Sequence, residues 1–184
     1  SEVDEVRKEI KRLADEAREV VKEVRKNNEK IADDSRKLNE RSIRESKKVT
    51  DTVRELLKRV RSRELDRLVK EVVERSNEIV EESERLVREM NKRSDDSVEK
   101  LREVLERIVR ELERVVEEAA RAGVPEERVK ELKERVDEVS KELRDLLKKL
   151  RDDSERVVEE NEKLLRELKE RSDRATKELD DASK

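Results

Sequence analysis

The sequence predicts an all-α protein: an elongated, up-down-up antiparallel three-helix bundle of coiled-coil character, with helices of about 58 residues. Three observations carry this. Apolar residues recur at steps of three and four along nearly the whole chain. Gly and Pro occur once each, close together, as Gly123 and Pro125. Charged residues make up 56% of the chain, yet 50 Lys+Arg balance 53 Asp+Glu to a net charge of −3. Such a charge content suits a disordered chain unless the apolar residues fall on one face, which their periodicity places them on. One helical-bundle domain over 1–184 is expected.

Helix 1 is expected at about 2–61. Its stripe runs Val3, Val6, Ile10, Leu13, Ala17, Val20/Val21, Val24, Asn28, Ile31, Ser35, Leu38, Ser42, Ser46, Val49, Val53, Leu56, Val60. It holds a seven-residue step as far as Leu38 and slips by one at Ser46, so only gentle supercoiling is expected. No Gly or Pro separates helix 1 from helix 2, at about 64–121. The apolar face nevertheless swings by roughly 130° between residues 60 and 65, more than one continuous helix tolerates. A short turn with Ser62 as N-cap is expected there. Helix 2 follows Leu65, Leu68, Val72, Ser76, Ile79, Ser83, Leu86, Met90, Ser94, Val98, Leu101, Leu105 and onward to Ala119. The second junction reads Ala122-Gly123-Val124-Pro125-Glu126-Glu127. It supplies a Gly stop, a Pro at the first helical position and acids in the new first turn. Helix 3, at about 126–182, follows Val129, Leu132, Val136, Val139, Leu143, Leu146, Leu150, Ser154, Val157, Asn161, Leu164, Leu168, Ser172, Ala175, Leu179.

Three near-equal helices on short connections run up, down and up. Charge supports this packing. Residues 1–61 carry 19 basic and 15 acidic residues, residues 62–123 carry 14 and 18, and residues 124–184 carry 17 and 20. A basic helix against two acidic ones favours intramolecular pairing, each exposed pair contributing about 0.2–1 kcal/mol.

Polar residues interrupt the stripes. Asn28, Ser35, Asn39, Ser42, Ser46 and Thr50 lie on or beside the first, and Ser76, Asn77, Ser83, Asn91, Ser94 and Ser97 on the second. Ser140, Ser154, Asn161, Ser172 and Thr176 lie on the third. In an up-down fold, residue numbers at one height sum to about 124 for helices 1 and 2, and about 246 for helices 2 and 3. Three polar layers follow: Asn28 with Ser94, Ser97 and Ser154; Ser42 with Ser83 and Asn161; Ser46 with Ser76, Asn77 and Ser172. A lone buried amide or hydroxyl costs about 1–3 kcal/mol, so clustering by height is what a satisfied network requires. The competing reading is that some of these residues border the stripe and meet water.

The inventory excludes most chemistry. Without His or Cys there is no neutral-pH proton shuttle, thiolate nucleophile, disulfide or thiolate metal site. Without aromatics there is no stacking platform, and a single Gly cannot make a phosphate-cradling loop. The charges form no basic stripe for nucleic acid, and no apolar run approaches the ~20 residues of a membrane span. The pairs Asp33-Asp34, Asp95-Asp96 and Asp152-Asp153, each followed by Ser, could hold a divalent cation weakly, but adjacent helical residues diverge by about 100°. They read as solvated surface. No catalytic, cofactor-binding or metal residues are expected, and no cofactor. No partner is required, neither nucleic acid nor membrane, with a designed protein partner or self-association as the open alternative. The chain starts Ser1-Glu2-Val3 without Met, as expected of one cut from a longer chain.

These features together resemble computationally designed helical bundles with buried hydrogen-bond networks. The resemblance covers the whole length. It rests on Glu/Arg/Lys-saturated surfaces, Val/Leu/Ile stripes, the Gly123–Glu127 loop, the polar layers, and the absence of Gln, His, Cys and aromatics. It implies a structural scaffold with no natural biochemical function or localisation, and an expectation of soluble cytoplasmic expression. The alternative it leaves is an interaction module: an oligomer component, or a switch that accepts an extra helix.

Overall fold

In a computed structural model the structure describes residues 1–59 and 63–183. Three α-helices account for nearly all of them: α1 (Glu2–Arg59), α2 (Arg63–Arg121) and α3 (Glu126–Ser183). There is no strand among the described residues. The fold is a three-helix bundle. The Ser62 cap and the stripe position Val60 lie outside the described residues.

Capping chemistry marks the described ends. Ser1 Oγ accepts a hydrogen bond from the Asp4 amide at 3.4 Å, and the Ser1 carbonyl accepts from the Glu5 amide at 3.1 Å. Each helix opens on acids, among them Glu2, Glu64 and Glu126, which complement the positive end of the helix dipole. At the end of α2, the Val124 amide donates to the Ala119 carbonyl and the Gly123 amide to the Ala120 carbonyl, at 3.1 and 3.2 Å. This is a Schellman closure, and it needs a left-handed residue at Gly123, where φ is 91°. Buried Val124 completes it by packing into the core. Pro125 lies one position earlier than expected. Its carbonyl accepts from the Arg128 and Val129 amides, so it caps α3 rather than occupying the first helical turn.

Hydrogen bonds and ion pairs give the helix directions. Between α1 and α3 the pairs Arg7–Glu131, Arg18–Glu142, Arg36–Glu160 and Arg54–Glu178 all keep an offset of 124, the signature of parallel helices. Between α1 and α2 the pairs Ser42–Ser83 and Ser35–Met90 both sum to 125, the signature of antiparallel ones.

The chain divides into two compact units, one of residues 1–29 and 93–155, the other of 30–92 and 156–184. The first contains a continuous apolar cluster, including Ile10, Leu13, Ala17, Val21, Leu101, Leu112, Leu132 and Leu143. Among the described residues it buries 19 apolar side chains and 4 polar ones. The second buries 11 apolar and 9 polar side chains, with a small cluster around Val53, Leu57, Val69, Val72 and Leu179. Unit two therefore exchanges apolar burial, about 1.5–3 kcal/mol per fully buried Leu or Val, for hydroxyls and amides.

Candidate functional site

The polar residues of the core are the feature that periodicity alone does not demand. Thirteen of the seventeen polar residues expected on or beside the stripes are buried: Asn28, Ser35, Asn39, Ser42, Ser46, Thr50, Ser76, Ser83, Ser94, Ser140, Ser154, Asn161 and Ser172. Asn91 is half-buried. Asn77 is exposed, because it lies about 100° round the helix from Ser76, which takes the inward position. Ser97 is half-buried too, leaving Ser94 as the inward residue.

In the first unit, Ser94 and Ser154 meet Oγ to Oγ at 2.9 Å, and Ser154 Oγ donates to Asp95 Oδ1 at 3.3 Å. Ser154 has one proton, so the chain runs from the Ser94 hydroxyl through Ser154 to a carboxylate, and each bond polarises the next. Asp95 was expected to be solvated surface. Its partnership had no signal in the one-dimensional pattern. Asn28 belongs to the same expected layer but joins nothing: neither its Oδ1 nor its Nδ2 has a hydrogen-bond partner among the described residues.

In the second unit, Ser42 and Ser83 meet Oγ to Oγ at 2.6 Å. Asn161 does not join them as the height rule expected. Its Nδ2 donates to Asn91 Oδ1 at 2.8 Å. The α2–α3 pair sum explains the shift: it is 248 at Ser94–Ser154 and 252 at Asn91–Asn161, against the expected 246. Asn161 therefore meets α2 about two turns away from Ser83. Ser35 Oγ donates within its own helix to the Ile31 carbonyl at 2.9 Å and lies 3.0 Å from Met90 Sδ, a soft acceptor. Thr50 Oγ1 likewise turns back to the Ser46 and Lys47 carbonyls. The expected layer of Ser46, Ser76 and Ser172 is buried but unjoined; Ser76 Oγ and Ser172 Oγ have no partner among the described residues. The same holds for both amide atoms of fully buried Asn39 and for Ser140 Oγ.

The surface is a lattice of ion pairs. The Arg18 guanidinium forks onto Glu142 at 2.7 and 2.9 Å and holds that carboxyl below its ordinary range. Arg12 does the same to Glu9, Arg102 to Glu99, and Lys37 to Asp33. Among the described residues no three acidic groups are arranged to hold a metal ion, and no helix is long and apolar enough to cross a membrane.

Fold and core together define a three-helix bundle with buried, partly paired polar positions. A solved structure described as a computationally designed three helix bundle is similar to this chain, with a TM-score of 0.81 and 15% identity over 99% of this chain and 90% of that one. No protein-family model and no curated protein matches the chain.

Proposed function

We propose that the chain is a designed structural scaffold, acting as one domain over residues 1–184, whose buried polar layers select one helix register. The observation that carries this is the set of interhelical pairs Ser42–Ser83, Ser94–Ser154 and Asn91–Asn161. Each joins two helices, and each is broken by a slip of one turn. A slipped register leaves both members buried and unpaired, at about 1–3 kcal/mol per group. Apolar layers discriminate far less, because one Leu replaces another. The residue inventory, without His, Cys, Gln or aromatics, supports an artificial origin, and no enzymatic role is proposed.

Light scattering behind size exclusion tests the scaffold reading: a single species at 21.9 kDa is expected. Replacing Asn28, Ser42, Ser83, Ser94 and Asn161 together by Val or Leu tests the role of the layers. The variant is expected to melt higher and to show broadened spectra or higher oligomers. A sharp, monomeric spectrum would remove the specificity role.

One observation favours the alternative of an interaction module. A groove of about 810 Å³ lies between α2 and α3 in the first unit, with half-buried Val109 and Leu147 in its wall. Ser140, with its unpartnered hydroxyl, also lines it. A stable multiple of the monomer mass in the same experiment supports that reading.

A further inference from the structure

The α1–α3 seam of the second unit contains a like-charge crossing. At the offset of 124 that joins Arg36 to Glu160 and Arg54 to Glu178, Lys47 falls opposite Arg171. Both border a cavity of about 240 Å³, and Arg174, one turn further along α3, borders it as well. None of these three cations has an ion-pair partner among the described residues. Arg54, at the far end of the cavity, is engaged by Asp51 and Glu178. The first unit has the same kind of crossing at Lys11 and Arg135, but there Arg135 pairs with Glu138. The cavity lining thus carries four cations and two carboxylates, a surplus of two positive charges on a chain whose net charge is −3.

The inner wall adds hydrogen-bonding capacity. Ser46 is 6% exposed and lines the cavity. Thr50 beside it has committed its proton to backbone carbonyls, which leaves the Ser46 hydroxyl as the donor the pair can offer an anion. Leu168 supplies an apolar side. Two guanidinium forks, an ammonium and a buried hydroxyl converging on one cavity match an anion with several oxygens around a small centre, because forks bind such oxygens in pairs.

We propose that this cavity is a binding site for a multivalent oxyanion of the phosphate class, with Lys47, Arg171 and Arg174 as its charge partners and Ser46 as its donor. Inorganic pyrophosphate is the probe, titrated into the full chain by calorimetry at about 0.15 M salt, where diffuse attraction over more than about 8 Å is screened. Saturable one-to-one binding is expected. Lys47→Glu is expected to weaken it at least tenfold, the effect of losing one charge-assisted contact and gaining a repulsive one, roughly 1.5–3 kcal/mol. That variant also creates a Lys/Arg–Glu crossing like its neighbours, so the bundle keeps its fold, which circular dichroism checks. Ser46→Ala is expected to weaken binding severalfold. Lys141→Glu, a reversal of equal charge on α3 in the other unit, is expected to leave binding unchanged. If Lys47→Glu unfolds, the double variant Arg171→Gln, Arg174→Gln takes its place with the same expectation. Absence of saturation, or equal weakening by Lys141→Glu, overturns the proposal, since the anion then senses net charge alone.

Discussion

Ser42 on α1 and Ser83 on α2 share a hydrogen bond of 2.6 Å between their hydroxyl oxygens, both side chains being buried. The pair stands between the two simplest outcomes for a polar group in a core. Ser76 and Ser172 are also buried and have no partner among the described residues, whereas Thr50 satisfies itself on its own helix. Of these three outcomes, only an interhelical pair such as Ser42–Ser83 ties the position of one helix to that of another.

Breaking one side of that pair is expected to cost more than removing both. Ser83→Ala leaves the Ser42 hydroxyl without its interhelical partner and is expected to destabilise by about 1–2 kcal/mol in chemical denaturation. The double variant Ser42→Ala, Ser83→Ala removes the orphan and is expected to recover part of that loss. A double variant less stable than the sum of the singles contradicts the pairing.

Asn39 presents the opposite case. It is fully buried on α1 with all amide valences unmet among the described residues. Asn39→Leu is expected to raise stability by about 1–3 kcal/mol, because an unpaired amide is exchanged for an apolar group with the same number of heavy atoms. The urea midpoint, at unchanged m-value, reads this directly.

The two units differ in core chemistry, and their opening free energies should differ with it. Amides around Ser35–Thr50 and Ser76–Val87 are expected to exchange faster than those around Ile10–Val21 and Leu101–Leu112. Native-state hydrogen exchange measured by mass spectrometry resolves these segments. Uniform protection along α1 would show that buried hydroxyls cost the second unit nothing.

Gly123 has φ of 91°, and no atom lies within 4 Å of where its Cβ would be. Any cost of substitution is then conformational and not steric. Gly123→Ala is expected to lower stability by about 1 kcal/mol, and Gly123→Asn by less, because Asn tolerates the left-handed region better. Equal melting temperatures for the two variants would contradict this assignment.

Glu142, Glu9, Glu99 and Asp33 all have carboxyl pKa values lowered by a basic neighbour. A depressed folded-state pKa contributes stability that is present above the unfolded value, about 4, and is lost as pH falls through the folded one. The melting temperature is expected to be flat from about pH 7 to 5 and to fall below about pH 4. Arg18→Gln removes the fork on Glu142 and should make the acid-side fall shallower. Because these side chains are largely exposed, added salt is expected to shrink the difference.

The helices were legible in the chain because their determinants are local and periodic. The stripe spacing, acids at helix starts and Gly123 at the stop each act within a turn or two. Chain arithmetic also reached the heights, since rise per residue is constant and the turns are short. It placed Ser42 beside Ser83 and Ser94 beside Ser154 with no knowledge of packing. Azimuth and drift lay beyond it. Val87 is fully buried where the neighbouring Leu86 is only half-buried, and Asn77 turns outward, because rotation about the helix axis is set by how side-chain volumes of all three helices interlock. The α2–α3 pair sum moves from 248 to 252 between two neighbouring polar pairs, which sends Asn161 to Asn91 and away from Ser83. Asp95 becomes an acceptor for Ser154 through this α2–α3 register, and the Lys47–Arg171 crossing follows from the α1–α3 offset of 124. Periodicity and chain length determined three helices, their directions and the level of polar pairs such as Ser42–Ser83 and Ser94–Ser154, but not that of Asn161. Which of those residues found a partner was decided by tertiary packing, since a hydrogen bond requires two atoms within a few tenths of an ångström and no single helix specifies the other's position.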